Sequence, residues 1–218
     1  MLIRNNYKAT LTAAYLGYIT QAIMLNFPPL LFIFFQENLG LSLVQVSVLI
    51  SVNFVTELLV DVLASKYASK IGYKPLVIVG NSLAALGLIS MMVLTHLIPN
   101  GFVALVISMV LCGAGGGFME VLISPIVEAC PTKNKSGMMS LLHSFYCWGQ
   151  AGVVLVSTLF FQLFSLENWG FVASFWAIVP LIGIFLFSLA PIYMLRKTER
   201  TLAFQPLSKT KPSGFLFL

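Results

Sequence analysis

Glu120 is the carboxylate set most deeply within an apolar stretch of this sequence. It lies about ten residues from the cytoplasmic end of the fourth apolar stretch, roughly 15 Å along a helix. An ionised carboxylate at that depth in hydrocarbon is costly unless water, a partner group or a bound solute meets it. Ser124 and Glu128 follow at steps of four, so the three share one helical face. That arrangement suits binding of a polar solute, or uptake and release of a proton. The plainer alternative is a protonated glutamate bonded to a neighbouring helix.

Asn53, Glu57 and Asp61 form a second stripe at the same spacing. Asp61 lies one turn from Ser65 and close to Lys66 and Lys70, and reads as an ion-pair partner of one of them. Glu57 is deeper and joins Glu120 as a candidate solute or proton ligand. Ser140, His143, Cys147 and Gln150 make a third stripe, with Tyr146 and Trp148 beside it. Hydrogen-bonding and aromatic groups so mixed suit a sugar or another polar organic molecule, although a lone histidine equally fits a satisfied packing residue. Gln21 and Asn26, together with Tyr15 and Tyr18, supply polar groups in the first apolar stretch, which Pro28-Pro29 interrupts. Gly113 and Gly117 stand at the small-xxx-small spacing that lets helices approach closely.

Enzymatic patterns are missing. There is no HExxH and no GxSxG, and His96 and His143 are far apart. Cys112, Cys130 and Cys147 are odd in number and share no CxxC spacing, so they define neither a disulfide framework nor a metal site. No cofactor is expected, and an intramembrane enzyme is the weakest alternative.

The elements that must position these residues follow from composition. Of 218 residues, 59% are hydrophobic and 9% charged, too few polar groups to cover a soluble core. The apolar residues fall in long blocks, and a hydrocarbon layer roughly 30 Å thick needs about 20 of them per helix. Six spans are predicted, at about 10–36, 44–67, 75–97, 101–130, 137–165 and 170–195. The fold class is therefore all-α, a polytopic membrane protein. The first span is too long for a cleavable leader. Short connectors, punctuated by Gly40, Gly72, Pro75, Pro99 and Pro131, force neighbouring spans to run antiparallel.

With that alternation all 12 basic residues fall on one side. They are Arg4 and Lys8; Lys66, Lys70 and Lys74; Lys133 and Lys135; and a C-terminal group from Arg196 to Lys211. This predicts a cell-membrane protein with both termini cytoplasmic. The net charge of +5 is then a topology signal with some attraction to the anionic heads of the lipid bilayer, and calls for no nucleic acid. Residues 1–195 form the transmembrane bundle. Residues 196–218 read as a cytoplasmic tail, either the beginning of a central linker or an aberrant end, and the chain is expected to be incomplete. The six spans divide into two inverted three-helix repeats, pairing span one with four, two with five and three with six.

These features resemble the N-terminal half of a major facilitator superfamily transporter, a fold of twelve helices in two six-helix halves. The loop from Ser65 to Leu76 is similar to that family's signature between helices two and three, GxLaDrxGrrpl. Lys70, Gly72, Lys74 and Pro75 match; Ser65, Ser69 and Tyr73 replace a glycine, the aspartate and an arginine. The resemblance implies a gating or structural role for this loop. Met119 to Pro125 and Leu141 to Gly149 resemble the fucose–proton symporter branch, in which a helix-four glutamate serves substrate and proton. Glu120 stands at that glutamate and Ser124 at the usual asparagine. Where that branch carries an embedded aspartate in helix one, this sequence has Asn26.

The resulting expectation is a secondary active transporter half that moves a small polar solute by alternating access. Glu120 would be its ligand for substrate or proton, helped by Gln21, Asn26, Glu57, His143 and Gln150. Asp61, Lys70, Gly72, Lys74, Gly113 and Gly117 would have structural or gating roles. The expected partner is a second six-helix half or a homodimer mate. A self-associating six-helix carrier, channel, subunit or scaffold is the alternative.

Overall fold

The protein is represented by a computed structural model that describes residues 7–193. Arg4, the basic cluster from Arg196 and the 196–218 tail lie outside the described residues, as do the last two residues of the sixth predicted span. The described chain folds into seven α-helices: α1 (Tyr7–Leu30), α2 (Phe32–Leu39), α3 (Leu43–Ile71), α4 (Tyr73–Leu97), α5 (Gly101–Glu128), α6 (Lys135–Phe164) and α7 (Trp169–Leu189). A single 3-10 turn, Leu166–Asn168, precedes α7, and no strand occurs among the described residues. Five helices are individually long and apolar enough to cross a membrane, and a sixth is reached when the bent α1–α2 pair is taken as one span. The expected all-α half-bundle is what the chain forms.

Helix ends follow from local chemistry. Ser42 and Gln45 form a reciprocal capping box at the start of α3. The side chains of Asn100 and Asn134 accept from the backbone N–H groups of Val103 and Gly137 and so cap α5 and α6. The first span breaks just after Pro28-Pro29, where neither proline can donate to the helical ladder. There the Leu31 N–H bonds to the Pro28 carbonyl at 3.0 Å, and α2 departs from α1 at 40°.

The connector predicted from Ala68 to Lys74 shrinks to one residue. Ala68–Ile71 stay helical, and Gly72, at φ 103°, turns the chain directly into α4. Pro75 fits because it lies in the first turn, where its missing N–H has no helical partner to lose.

Four helices form an arc in the order α3, α5, α1, α6, and α4 and α7 close its back. Exchanging the first span with α5, α3 with α6 and α4 with α7 maps this packing onto itself. The α3–α5 contact becomes α6–α1, and α4–α5 becomes α7–α1. The α1–α5 and α4–α7 contacts map to themselves. That is the pattern of two inverted three-helix repeats.

Hydrocarbon surrounds such a bundle, so burying apolar area between helices gains little; close backbone approach matters more. The α5 glycines supply it. A Cβ added at Gly115 would lie 2.6 Å from the Ala84 nitrogen of α4, and one at Gly117 would lie 2.8 Å from the Glu57 carbonyl of α3. In consequence α5 is the most enclosed of the five individually long spans, 56% of its most apolar window being buried, against 17% for α3 and for α6. The outlying helices of the arc keep broad apolar surfaces, Phe54, Leu58, Leu59 and Leu155 among them.

Candidate functional site

A polar cluster occupies the front of the arc. From α5 come Glu120 and Ser124, from α3 Glu57 and Asp61, from α1 Tyr18 and Asn26, and from α6 His143 and Tyr146. Four-residue steps along α3 and α5 put Glu57 with Asp61, and Glu120 with Ser124, on one helical face each. Gly113, Gly116 and Gly117 then draw α3 onto α5, so that a Cβ at Gly116 would lie 3.3 Å from Glu57 Oε1 and one at Gly117 would lie 3.0 Å from Asp61 Oδ1.

Glu57 is 5% exposed, whereas Glu120 is exposed on the open face of the arc. Glu57 Oε1 is buried without a hydrogen-bond partner, and Glu120 and Asp61 both lie within electrostatic reach of it. Like charges so close repel strongly where water is scarce. A proton or another positive charge placed among them is therefore stabilising.

Aromatic and amide groups complete the surround. The Tyr18 hydroxyl bonds Ser124 Oγ at 2.6 Å, and the Tyr18 ring packs 5.6 Å from His143 and 6.3 Å from Tyr146. Tyr146 lies near Asn26, Glu120 and Glu57, and the Asn26 amide donates to the Ala22 carbonyl at 2.8 Å. Tyr15 stacks on Phe145 at 4.5 Å beside the cluster. Hydroxyls, amides, an imidazole and ring faces around carboxyl groups can hydrogen-bond a polyhydroxylated or similarly polar solute and stack against its apolar face.

Not every residue singled out in the sequence is in the cluster. Gln21 is 6% exposed and sits about one turn along α1 from Tyr18. Gln150 is exposed on α6 about 10 Å along the helix from His143. Asp61 makes no ion pair with Lys66 or Lys70, contrary to the sequence reading. Its Oδ1 is buried without a hydrogen-bond partner, and both lysines lie over the Tyr67 ring, at 5.4 and 5.9 Å. The physical reason is helical phase, since Asp61 faces α5 while Lys66 and Lys70 turn away from it.

Lys74 donates to the Ala190 carbonyl at 3.1 Å and so holds the C-terminal end of α7 against α4. Gly113 and Gly117 both face α3. Tyr18, Ser124 and Tyr146 join the cluster beyond the expected ligands, and spacing points to two of them: Ser124 is one turn from Glu120, and Tyr146 one turn from His143.

Five to six apolar spans, internal inverted symmetry and a polar cluster on the open face describe a multi-pass membrane protein. The family model of the Major Facilitator Superfamily matches residues 12–216. The chain belongs to that superfamily of secondary membrane transporters. No curated protein gives a significant match.

Proposed function

We propose that this chain is the N-terminal half of a secondary active transporter that moves a small polar organic solute, such as a sugar, by alternating access coupled to protons. The observation that carries the proposal is the carboxyl group of Glu120, exposed on the front of the arc and facing Glu57 and Asp61. Binding of a proton relieves repulsion among these carboxyls, and solute binding beside them links proton and solute occupancy. Tyr18, Asn26, His143 and Tyr146 supply hydrogen bonds and ring faces to the solute, and Gln21 and Gln150 extend the polar lining along α1 and α6. The resemblance of spans four and five to fucose–proton symporters favours a sugar.

A second six-helix bundle, either another half or a second copy, covers the front of the arc and the exposed apolar faces of α3 and α6. Rocking of the two bundles opens the cluster to each side in turn. The protein resides in the cell membrane with both termini cytoplasmic, the basic connectors facing inward.

The test is uptake by the full transporter in proteoliposomes under an imposed proton gradient, with a panel of radiolabelled sugars and other polar solutes. Glu120→Gln should abolish gradient-driven uptake while leaving membrane insertion intact. Undiminished uptake by that variant removes Glu120 from the mechanism.

A further inference from the structure

We propose that the bundle end opposite the basic connectors binds a zwitterionic phospholipid. Its ammonium group would lie among Phe34, Trp169 and Glu167, and an acyl chain would lie in the groove between α6 and α7. The site is distinct from the polar cluster and independent of the solute carried.

A cavity of about 460 Å³ opens there, between α2, the last turns of α4 and the beginning of α7. That volume falls in the range of roughly 300–1,000 Å³ typical of small-molecule sites. Phe34, Phe35 and Trp169 form one wall of it, with Phe171 and His96 also in the lining. Phe34 and Phe35 lie 6.3 and 5.3 Å from Trp169, tilted or edge-on to it, so the ring faces point in different directions. Ring faces carry partial negative charge and attract organic cations. Glu167 adds a full negative charge to a lining that contains neither lysine nor arginine.

Helix ends reinforce that preference. The C-terminal turns of α2 and α4 contribute to the lining, and the partial negative charge of such ends favours a cation.

What identifies the occupant as a lipid is the continuation of the site. Phe171, 72% exposed, lines this cavity and also a neighbouring groove of about 220 Å³ formed with Val156, Phe160 and Phe175. That groove is apolar and runs down the outside of α7, where an acyl chain extends from a headgroup held above it. A soluble ammonium solute would have no use for it.

Native mass spectrometry of the full chain, released from detergent with equimolar dioleoylphosphatidylcholine, dioleoylphosphatidylglycerol and dioleoylglycerol, tests the proposal. The wild type should retain phosphatidylcholine over either competitor by about tenfold, and Glu167→Gln should cut that preference about fivefold. Phe34→Leu, at a half-buried position, should weaken it similarly while helicity by circular dichroism is unchanged. Equal retention of phosphatidylglycerol or dioleoylglycerol overturns headgroup recognition, as does an undiminished preference in both variants.

Discussion

Tyr18 on α1 and Ser124 on α5 share a hydrogen bond of 2.6 Å, and it joins the two helices that exchange with each other under the inverted repeat. The bond therefore sits at the seam of the two three-helix units, one turn from Glu120. Any motion that parts α1 from α5 must break it. The Tyr18 side chain is otherwise enclosed, being 5% exposed, so its hydroxyl has few other partners to turn to.

Removing either partner should expose this coupling. Tyr18→Phe and Ser124→Ala should each lower the thermal midpoint in detergent, by an amount equivalent to about 1 kcal/mol. The double variant should cost little more than the worse single one, because both changes delete the same bond. Strict additivity in that cycle would mean that the two hydroxyls do not interact in solution.

Glu57 and Glu120 should separate the coupled from the uncoupled reaction. Glu57→Gln preserves the shape of the side chain while removing one carboxylate of the pair. Proton-driven uptake should fall about tenfold or more, equivalent to ~1.4 kcal/mol. Solute exchange at equal proton concentration on both sides should persist, and parallel assays of the two modes in proteoliposomes check this. Equal losses in both modes would assign Glu57 to solute binding rather than to coupling.

The sequence carried most of the architecture because hydrocarbon leaves a chain few options. Every backbone group must be bonded within its own helix, so long apolar blocks report crossings almost directly. Stripes such as Asn53–Glu57–Asp61 could be phased by counting fours. What counting could not supply was which neighbour each stripe meets. Short sequence distance makes Asp61 resemble a partner of nearby lysines, yet a few residues of helical rotation turn Lys66 and Lys70 away from it. Gly72 was read within a seven-residue loop because the sequence does not reveal that one left-handed residue suffices to reverse the chain. The link from Tyr18 to Ser124, 106 residues apart, depends on tertiary packing and had no local signal.

Substitutions at two glycine types should move in opposite directions. At Gly117 a Cβ would meet the Glu57 carbonyl oxygen at 2.8 Å and Asp61 Oδ1 at 3.0 Å, whereas at Gly152 nothing lies within 4 Å. Gly117→Ala should therefore destabilise the bundle by about 1–3 kcal/mol through forced separation of α3 from α5. Gly152→Ala, within α6, should be neutral or stabilising by up to about 1 kcal/mol, since alanine costs the helix less backbone entropy. Thermal unfolding monitored by circular dichroism reads both. Because Gly117 also brings Asp61 towards Glu120, its substitution should reduce coupled uptake at temperatures where the protein remains folded.

The thin contact between α6 and α7 contains one buried polar link, and its loss should be asymmetric. The indole N–H of Trp176 donates to Ser157 Oγ at 2.9 Å, with Ser157 fully buried and Trp176 7% exposed. Ser157→Ala leaves the indole N–H without its acceptor in an apolar interior, which costs about 1–3 kcal/mol. Trp176→Phe leaves a serine hydroxyl that can turn to the carbonyl one turn back in α6, so its cost is mainly the lost ring volume. Ser157→Thr keeps the hydroxyl and should retain the native tryptophan fluorescence maximum, whereas Ser157→Ala should shift it. Since α6 leans mainly on α1 and touches α7 only thinly, this bond strengthens the tie of that outlying helix to the back of the bundle. Ser157→Ala should accordingly increase proteolytic cutting in the α6–α7 connector around Leu166–Asn168 without altering cleavage between α3 and α4. Equal sensitivity at both connectors would show that the link stabilises the whole bundle rather than the placement of α6.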